Sequence, residues 1–408
     1  MSKIAIIQFP GTNCEAESFR AIKDVGMEPE LFRWNRDKED LRKFDGYFIP
    51  GGFSYEDRVR SGAIAGRDPL MKVIKQESAK GKPVIGICNG AQILVESGMI
   101  PGLEASHLGA SLSWNEKGCL NIWVRIKNDS DKVTAFNNFD KDFNFSLPIA
   151  HGEGRWVIAD DLLKKLTDNG QTVFKYCDTS GDLKDEYPVN PNGSVNNLAG
   201  VSNKEGNVLA LMPHPERTKE GLKIFESMKK YIEENKEYEV SEIKGFEHKN
   251  GELNKYSKEE NSLEFLVDLI ITDNEAETLQ IALSQLDFNT DSLKRYTHWE
   301  VSTSDTSQEL KDKLIKSGEL LNTNKEIPYI NDKSKLKNKT HKVLIRYKDD
   351  FTGHDILGTL NNRLGITQVS KVLKGVLWEI ECTDQEFKKI INSHILFNPL
   401  AQIALIYE

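Results

Sequence analysis

From Lys3 to about Tyr231, short aliphatic runs alternate with amphipathic segments. Ile4 to Phe9, Tyr47 to Pro50, Val84 to Cys88 and Val208 to Met212 are nearly unbroken apolar stretches. Runs this short and this apolar suit parallel strands buried on both faces. Ala16 to Val25 and Asp68 to Lys80 carry apolar residues at helical spacing and read as crossover helices. The pattern predicts an α/β fold, a layered sheet with helices on both faces, over residues 1–232.

Beyond that the pattern changes twice. Residues 233–262 are dominated by Glu, Lys, Asn and Tyr, as in Glu233-Glu234-Asn235-Lys236-Glu237, and read as a charged, solvated linker. A second polar bridge covers 332–340. The bridges isolate two small α+β units, 263–331 and 341–408. The first opens with a strand-like run from Phe265 to Ile271, then a helix from Asn274 to Leu286, a strand around His298 to Val301 and a helix from Ser307 to Ser317. The second repeats that order, with Val343 to Tyr347, His354 to Leu364, Leu377 to Ile380, Asp384 to Asn392 and a closing strand from Ile403 to Tyr407. Aligning Trp299-Glu300 with Trp378-Glu379 superimposes the two orders, which points to a tandem repeat of a β-α-β-α-β unit.

Composition narrows the function classes. A chain of 408 residues exceeds one ordinary core. Its 38% hydrophobic and 29% charged residues suit a globular protein. The net charge of -9 gives it no general attraction to nucleic acid or an anionic membrane. No apolar run approaches the roughly 18 residues that span a bilayer, and the apolar stretch after Met1 is too short for a signal peptide. The five cysteines are odd in number and form no CxxC pair. That argues against a disulfide framework or a structural zinc site, so no metal is expected and a reducing cytoplasm is.

Chemistry concentrates in three places. Gly86-Ile87-Cys88-Asn89-Gly90 ends a buried run and has the form of a nucleophile elbow, a sharp strand-to-helix turn that holds the thiol proud of the sheet. A buried structural cysteine is the alternative reading of that motif alone. Met212-Pro213-His214-Pro215-Glu216 supplies a base and, on an extended backbone, a carboxylate on the same side to orient it. A lone surface histidine is the alternative there. Pro50-Gly51-Gly52-Phe53 ends another run, and its N–H groups, with that of Asn89, are placed to form an oxyanion hole.

In this order the three pieces resemble the class I (triad) glutamine amidotransferases, with a flavodoxin-like layered sheet. They are most similar to the glutaminase subunits of phosphoribosylformylglycinamidine synthases. Gly11-Thr12-Asn13-Cys14-Glu15, Ser54-Tyr55 with Asp57, Arg60-Ser61-Gly62-Ala63-Ile64-Ala65, Cys88-Asn89-Gly90 with Gln92, and His151-Gly152-Glu153-Gly154 carry the resemblance over about residues 1–230. One departure is Glu56, where many members have glycine. The resemblance implies Cys88 as nucleophile, His214 as general base and acid, and Glu216 as orienting carboxylate. Gly52 and Asn89 then supply oxyanion N–H groups, Gly51 and Phe53 complete that loop, and Gln92 helps hold glutamine. His151 and Glu153 belong to the active-site face, or to a polar loop with no role. Cys14, with no elbow around it, reads as structural.

The C-terminal units resemble the small bridging subunit of the same synthase, Leu396-Phe397-Asn398-Pro399 matching its closing pattern and Leu321-Asn322-Thr323 echoing it. A tandem copy then makes a built-in dimer with scope for self-association; an unrelated ligand-sensing pair is the alternative. No phosphate-cradling Gly-x-x-x-x-Gly-Lys loop is present. The expectation is therefore a chain without a cofactor of its own. It hydrolyses glutamine through a glutamyl thioester and hands ammonia to the large synthetase subunit, where ATP and Mg bind. That subunit converts formylglycinamide ribonucleotide to formylglycinamidine ribonucleotide. A class I amidotransferase of another pathway, and a non-catalytic bridging or regulatory subunit, are the competing readings.

Overall fold

The computed structural model describes residues 1–141, 143–234, 242–246 and 253–408. The chain divides into two compact units, Met1–His248 and Lys249–Glu408. No helix among the described residues is long and apolar enough to cross a membrane.

The first unit is built on a nine-stranded sheet. Its strands are β1 (Lys3–Gln8), β2 (Glu28–Arg33), β3 (Gly46–Ile49), β4 (Val84–Ile87), β6 (Leu120–Asn128), β7 (Asn144–His151), β9 (Phe174–Cys177), β10 (Leu198–Ser202) and β11 (Val208–Leu211). A separate pair joins β5 (Ser111–Trp114) to β8 (Glu153–Val157). The order β2-β1-β3-β4-β11 is parallel throughout. The order then continues β10-β9-β6-β7 with every neighbour antiparallel. The apolar runs match β1, β3, β4 and β11, four of the five parallel strands, with β2 mostly exposed; no run pointed to the antiparallel half. Its outer strands alternate buried and partly buried positions, as β7 does along its whole length, so they carry no unbroken apolar run to announce them.

Helices α1 (Glu15–Asp24), α2 (Pro69–Ser78), α3 (Asn89–Glu96), α4 (Asp160–Asp168) and α5 (Leu222–Glu233) complete the unit. Asp68 caps α2 by accepting from Leu70 N, and Pro69 starts it, the order of residues that favours a helix start. Within the core, Phe225 of α5 stacks on Phe48 of β3 with ring centroids 5.4 Å apart.

The expected linker, 233–262, is not simply solvated. Ile243 is buried and bridges Leu103 of the first unit. Tyr256 stacks on Tyr407 of the second unit, centroids 5.2 Å apart. The linker's residues at 235–241 and 247–252 lie outside the described residues.

In the second unit, β12 (Ser262–Leu269), α6 (Asn274–Gln285), β13 (Ser292–Ser302), α7 (Gln308–Lys316) and β14 (Glu326–Ile330) are followed by β15 (His341–Tyr347), α8 (Phe351–Gly358), β16 (Lys371–Glu381), α9 (Asp384–Asn392) and β17 (Gln402–Ile406). The two βαβαβ segments are not separate bodies. They share one six-stranded sheet, order β14-β12-β13-β16-β15-β17, in which all neighbours are antiparallel. The seam is the eleven-residue ladder of β13 with β16, Ser292 opposite Glu381 and Ser302 opposite Lys371. Arg295 faces Trp378 and Trp299 faces Lys374, so exchanging the two tryptophans maps the ladder onto itself. One sheet face packs Phe265, Trp299 and Val372 against Leu310 and Leu314 of α7 and Ile356 of α8. The other buries a polar chain: His298 Nε2 and Tyr407 Oη both donate to Glu264 Oε1 at 2.9 Å, and Arg346 donates to Glu300 at 2.7 Å.

The Phe225 ring is fully buried, so Phe225→Ala should cost roughly 3–5 kcal/mol of first-unit stability, measured by chemical denaturation.

Candidate active site

The parallel strands end on one edge of the sheet, the edge where open α/β sheets bind ligands. Cys88 follows β4 directly and precedes the first turn of α3. Its backbone sits at φ 52°, ψ -109°, a strained conformation for a side-chain-bearing residue and the one an elbow requires. The neighbouring glycines are there for space. A Cβ on Gly90 would collide with the Ile49 carbonyl at the end of β3, and one on Gly86 would collide with the Gly90 carbonyl. The thiol is buried, with Ala150 O of β7 at 3.8 Å.

His214 arrives just past the end of β11, its N–H bonded to Pro148 O at 3.0 Å. Its Nδ1 lies 2.6 Å from Glu216 Oε1, and both side chains are buried. The expected contact is made, but on a different backbone: Pro215–Arg217 is a 3₁₀ turn, not an extended segment. Burial pushes the His214 imidazole down, yet the Glu216 carboxylate and the hydrogen-bonded Cys88 sulfur outweigh it and hold its pKa at about 10. A basic imidazole beside a buried thiol is the arrangement that can take a thiol proton.

Gly51 sits among these groups. A Cβ there would lie 2.9 Å from His214 Cε1, 3.1 Å from Cys14 Sγ and 3.4 Å from Cys88 Cβ. Gly52 adopts φ 147°, open to glycine, while Asn13 N and Cys14 N both donate to Gly51 O and Phe53 N donates to Gly11 O. The Gly11–Glu15 segment thus holds the loop from behind. Phe53 turns its ring outward at 60% exposure and forms the rim of the site. Asn89 Oδ1 accepts from Ser54 N at 3.0 Å, while its amide donates to Gln92 Oε1 and Asp57 Oδ1. Gln92 also donates to Glu153 O. Gln92 is therefore a brace between the elbow and β8, with part of its bonding capacity already committed.

His151 ends β7, buried, its Nδ1 facing Asn115 Nδ2 at 3.2 Å. Burial, reinforced by His214, drives its pKa to about 3, so it stays neutral. Burial also pushes the Glu153 carboxyl up to about 7, with Asp57 adding to the effect, and pushes Asp57 up to about 6. Tyr55, Glu56 and Asp57 all have φ between 52° and 56°. Glycine is the natural residue for such a backbone, which gives the departure at Glu56 a physical meaning.

Sequence reasoning passed over Arg217 and Asn115, and set Cys14 aside. The signal for Arg217 was its place next to Glu216; Asn115 had none, since only folding brings it to His151. Cys14 lies against the site. Its Sγ, a His214 ring nitrogen and a Glu216 oxygen all fall within 4.8 Å of one another, a spacing that metal ions use. Arg217 already bridges that group as a cation, donating to Cys14 Sγ at 3.1 Å and lying 3.9 Å from Glu216 Oε1. A metal there would have to displace the guanidinium, so the donor set does not fit one.

Residues 1–247 match the family described as CobB/CobQ-like glutamine amidotransferase domain. The chain belongs to this amidotransferase family. Among curated proteins, "Phosphoribosylformylglycinamidine synthase subunit PurQ" of Methanothrix thermoacetophila is 45% identical over 262 residues, covering 57% of this chain and 99% of that protein. The protein of the same name from Aquifex aeolicus is 41% identical over 221 residues, covering 54% of this chain and 92% of that protein. A chain of "Structure of PurLQS from Thermotoga maritima" is 33% identical with TM-score 0.47, covering 57% of this chain and 99% of that one. All three likenesses are confined to little more than half of the chain.

Gly51→Ala places a methyl group among His214, Cys14 and Cys88. It should leave the amidotransferase unit folded by circular dichroism and slow Cys88 alkylation by about 100-fold. Glu153 and Asp57 have folded-state pKa values above those of the unfolded chain. Their contribution to stability is therefore full below the unfolded carboxyl pKa and lost as pH rises through about 6 to 7. Thermal melts should fall more steeply over that window for the unaltered chain than for Glu153→Gln.

Proposed function

We propose that this chain is the glutaminase component of phosphoribosylformylglycinamidine synthase, acting in purine biosynthesis. The observation that carries the reading is the Cys88–His214–Glu216 constellation, held at an elbow beside the Gly51-Gly52 loop. The PurQ relatives, aligned over nearly their whole length, supply the pathway.

In the proposed cycle the Cys88 thiolate adds to the glutamine side-chain carbonyl, and the oxygen takes up the negative charge. Gly52 and Asn89 N–H groups stabilise that oxyanion. The His214 imidazolium gives its proton to the departing nitrogen, which leaves as ammonia, and Cys88 is left as a glutamyl thioester. Water, deprotonated by His214, then attacks the thioester; glutamate departs and the thiolate returns. Glu216, accepting from Nδ1, keeps the imidazole oriented throughout. His151, neutral and buried, and Gln92, bracing the elbow, shape the pocket from the β7–β8 side.

Ammonia made this way is of use only where it is consumed. The reading therefore includes a large synthetase subunit that binds ATP and Mg and converts formylglycinamide ribonucleotide to formylglycinamidine ribonucleotide. Residues 263–331 and 341–408 are proposed as tandem copies resembling the synthase's small bridging subunit. The self-mapping β13–β16 ladder supports that reading, since two identical chains paired across a two-fold axis would form such a seam. The five free cysteines suit a reducing cytoplasm.

Cys88→Ala should abolish glutamine-dependent amidine formation in the complex reconstituted with the synthetase subunit, while ammonia-dependent formation stays within about twofold. Full glutamine-dependent turnover by that variant would reject the proposal.

A further inference from the structure

We propose that Arg217 is a positioning residue that clamps Glu216 against His214 and ties the triad to the loop around Gly51 through Cys14. The inference deepens the proposed function and rests on its reading of Cys88, His214 and Glu216 as the hydrolytic triad.

Glu216 is a buried carboxylate whose Oε1 takes the His214 Nδ1 proton. Its Oε2 is buried with no hydrogen-bond partner among the described residues. A carboxylate so placed needs a nearby cation. Arg217 supplies it, as an ion pair beyond hydrogen-bond reach. Its Nε is 3.9 Å from Glu216 Oε1, and its Nη2 reaches Cys14 Sγ at 3.1 Å and Glu17 Oε1 at 3.3 Å. The guanidinium is thereby held at three points, two of them at the start of α1: its N-cap Cys14 and Glu17 of its first turn.

The Cys14 sulfur is suited to the part. Burial, together with the Glu216 charge, pushes its thiol up to about 12, so it accepts from Arg217 as a neutral group. A neutral anchor fixes the guanidinium without competing with Glu216 for its charge. The same residue uses its backbone: Cys14 N donates to Gly51 O at 3.1 Å. One residue thus joins the cation behind the triad to the loop in front of it. The remaining titratable groups around His214 and Glu216 are Cys88 at the elbow, His151 of β7, and Glu17 of α1.

Without the guanidinium, the buried Glu216 carboxylate loses the cation beside it and its hold on the His214 imidazole weakens. Arg217→Gln should lower kcat for glutamine in the synthetase complex by about tenfold with KM changed less than about twofold. It should also move the pH midpoint of Cys88 alkylation by iodoacetamide upward by about half a unit or more. Arg217→Lys, which keeps the charge but loses the fork, should recover part of both losses. Arg20→Gln, the same charge change placed on α1, should shift neither.

An ion pair serving only to pin α1 would change the melting temperature and leave the alkylation midpoint in place; that result overturns the clamp. If Arg217→Gln does not fold, Cys14→Ala removes the sulfur anchor alone and should shift the midpoint in the same direction. An unshifted midpoint there counts equally against it. Alkylation needs no glutamine turnover. A chain that fails to hydrolyse glutamine yet shows the shift refutes the functional reading and keeps the clamp.

Discussion

The site depends on how closely three backbone segments approach one another. The first turn of α3 sits so near the end of β3 that position 90 has no room for a side chain, and position 51 is hemmed in by His214, Cys14 and Cys88. Glycine at both places lets the elbow, the Gly51-Gly52 loop and the His214 turn converge. The positive φ of Cys88 follows from that convergence, because the chain must reverse between a buried strand and a helix within one residue. Strain at Cys88 is held by the surrounding sheet, where β4 and its neighbour β11 are buried throughout.

Two buried histidines within this site show how neighbours decide charge. Both are desolvated, which disfavours the imidazolium. His214 has Glu216 on one nitrogen and the Cys88 sulfur as its other neighbour, and is held basic. His151 has an amide at Nδ1 and the cationic His214 nearby, and is held neutral. The same residue type, at similar burial, is thus held cationic in one place and neutral in the other. Glu153 and Asp57 show the converse: two carboxyls share one low-dielectric corner and each is pushed up by burial, Glu153 further by the Asp57 charge.

The second unit solves a different problem. A three-stranded β-α-β-α-β segment standing alone exposes the strand that would form its seam. Here β13 and β16 cover each other over eleven residues, so neither long edge is left open. The polar chain of Glu264, His298, Glu300, Arg346 and Tyr407 under that seam draws on both segments. It fixes the pairing with directional bonds that an apolar face would lack.

The aliphatic runs at Ile4, Tyr47, Val84 and Val208 were enough to found four of the five parallel strands, since a strand buried on both faces must be apolar throughout. The elbow glycines and the His214–Glu216 pair were legible for a similar reason: their chemistry is local and their spacing short. The antiparallel half was not legible, because strands such as β7 alternate and carry no run. Nor could spacing reveal that His214 and Glu216 meet across a 3₁₀ turn, or that Ile243 leaves a charged stretch to enter a core. The largest gap lay at Cys14 and Arg217, 203 positions apart. Sequence determines which residues can do chemistry; only the tertiary fold, by bringing the start of α1 against the turn after β11, decides which of them touch.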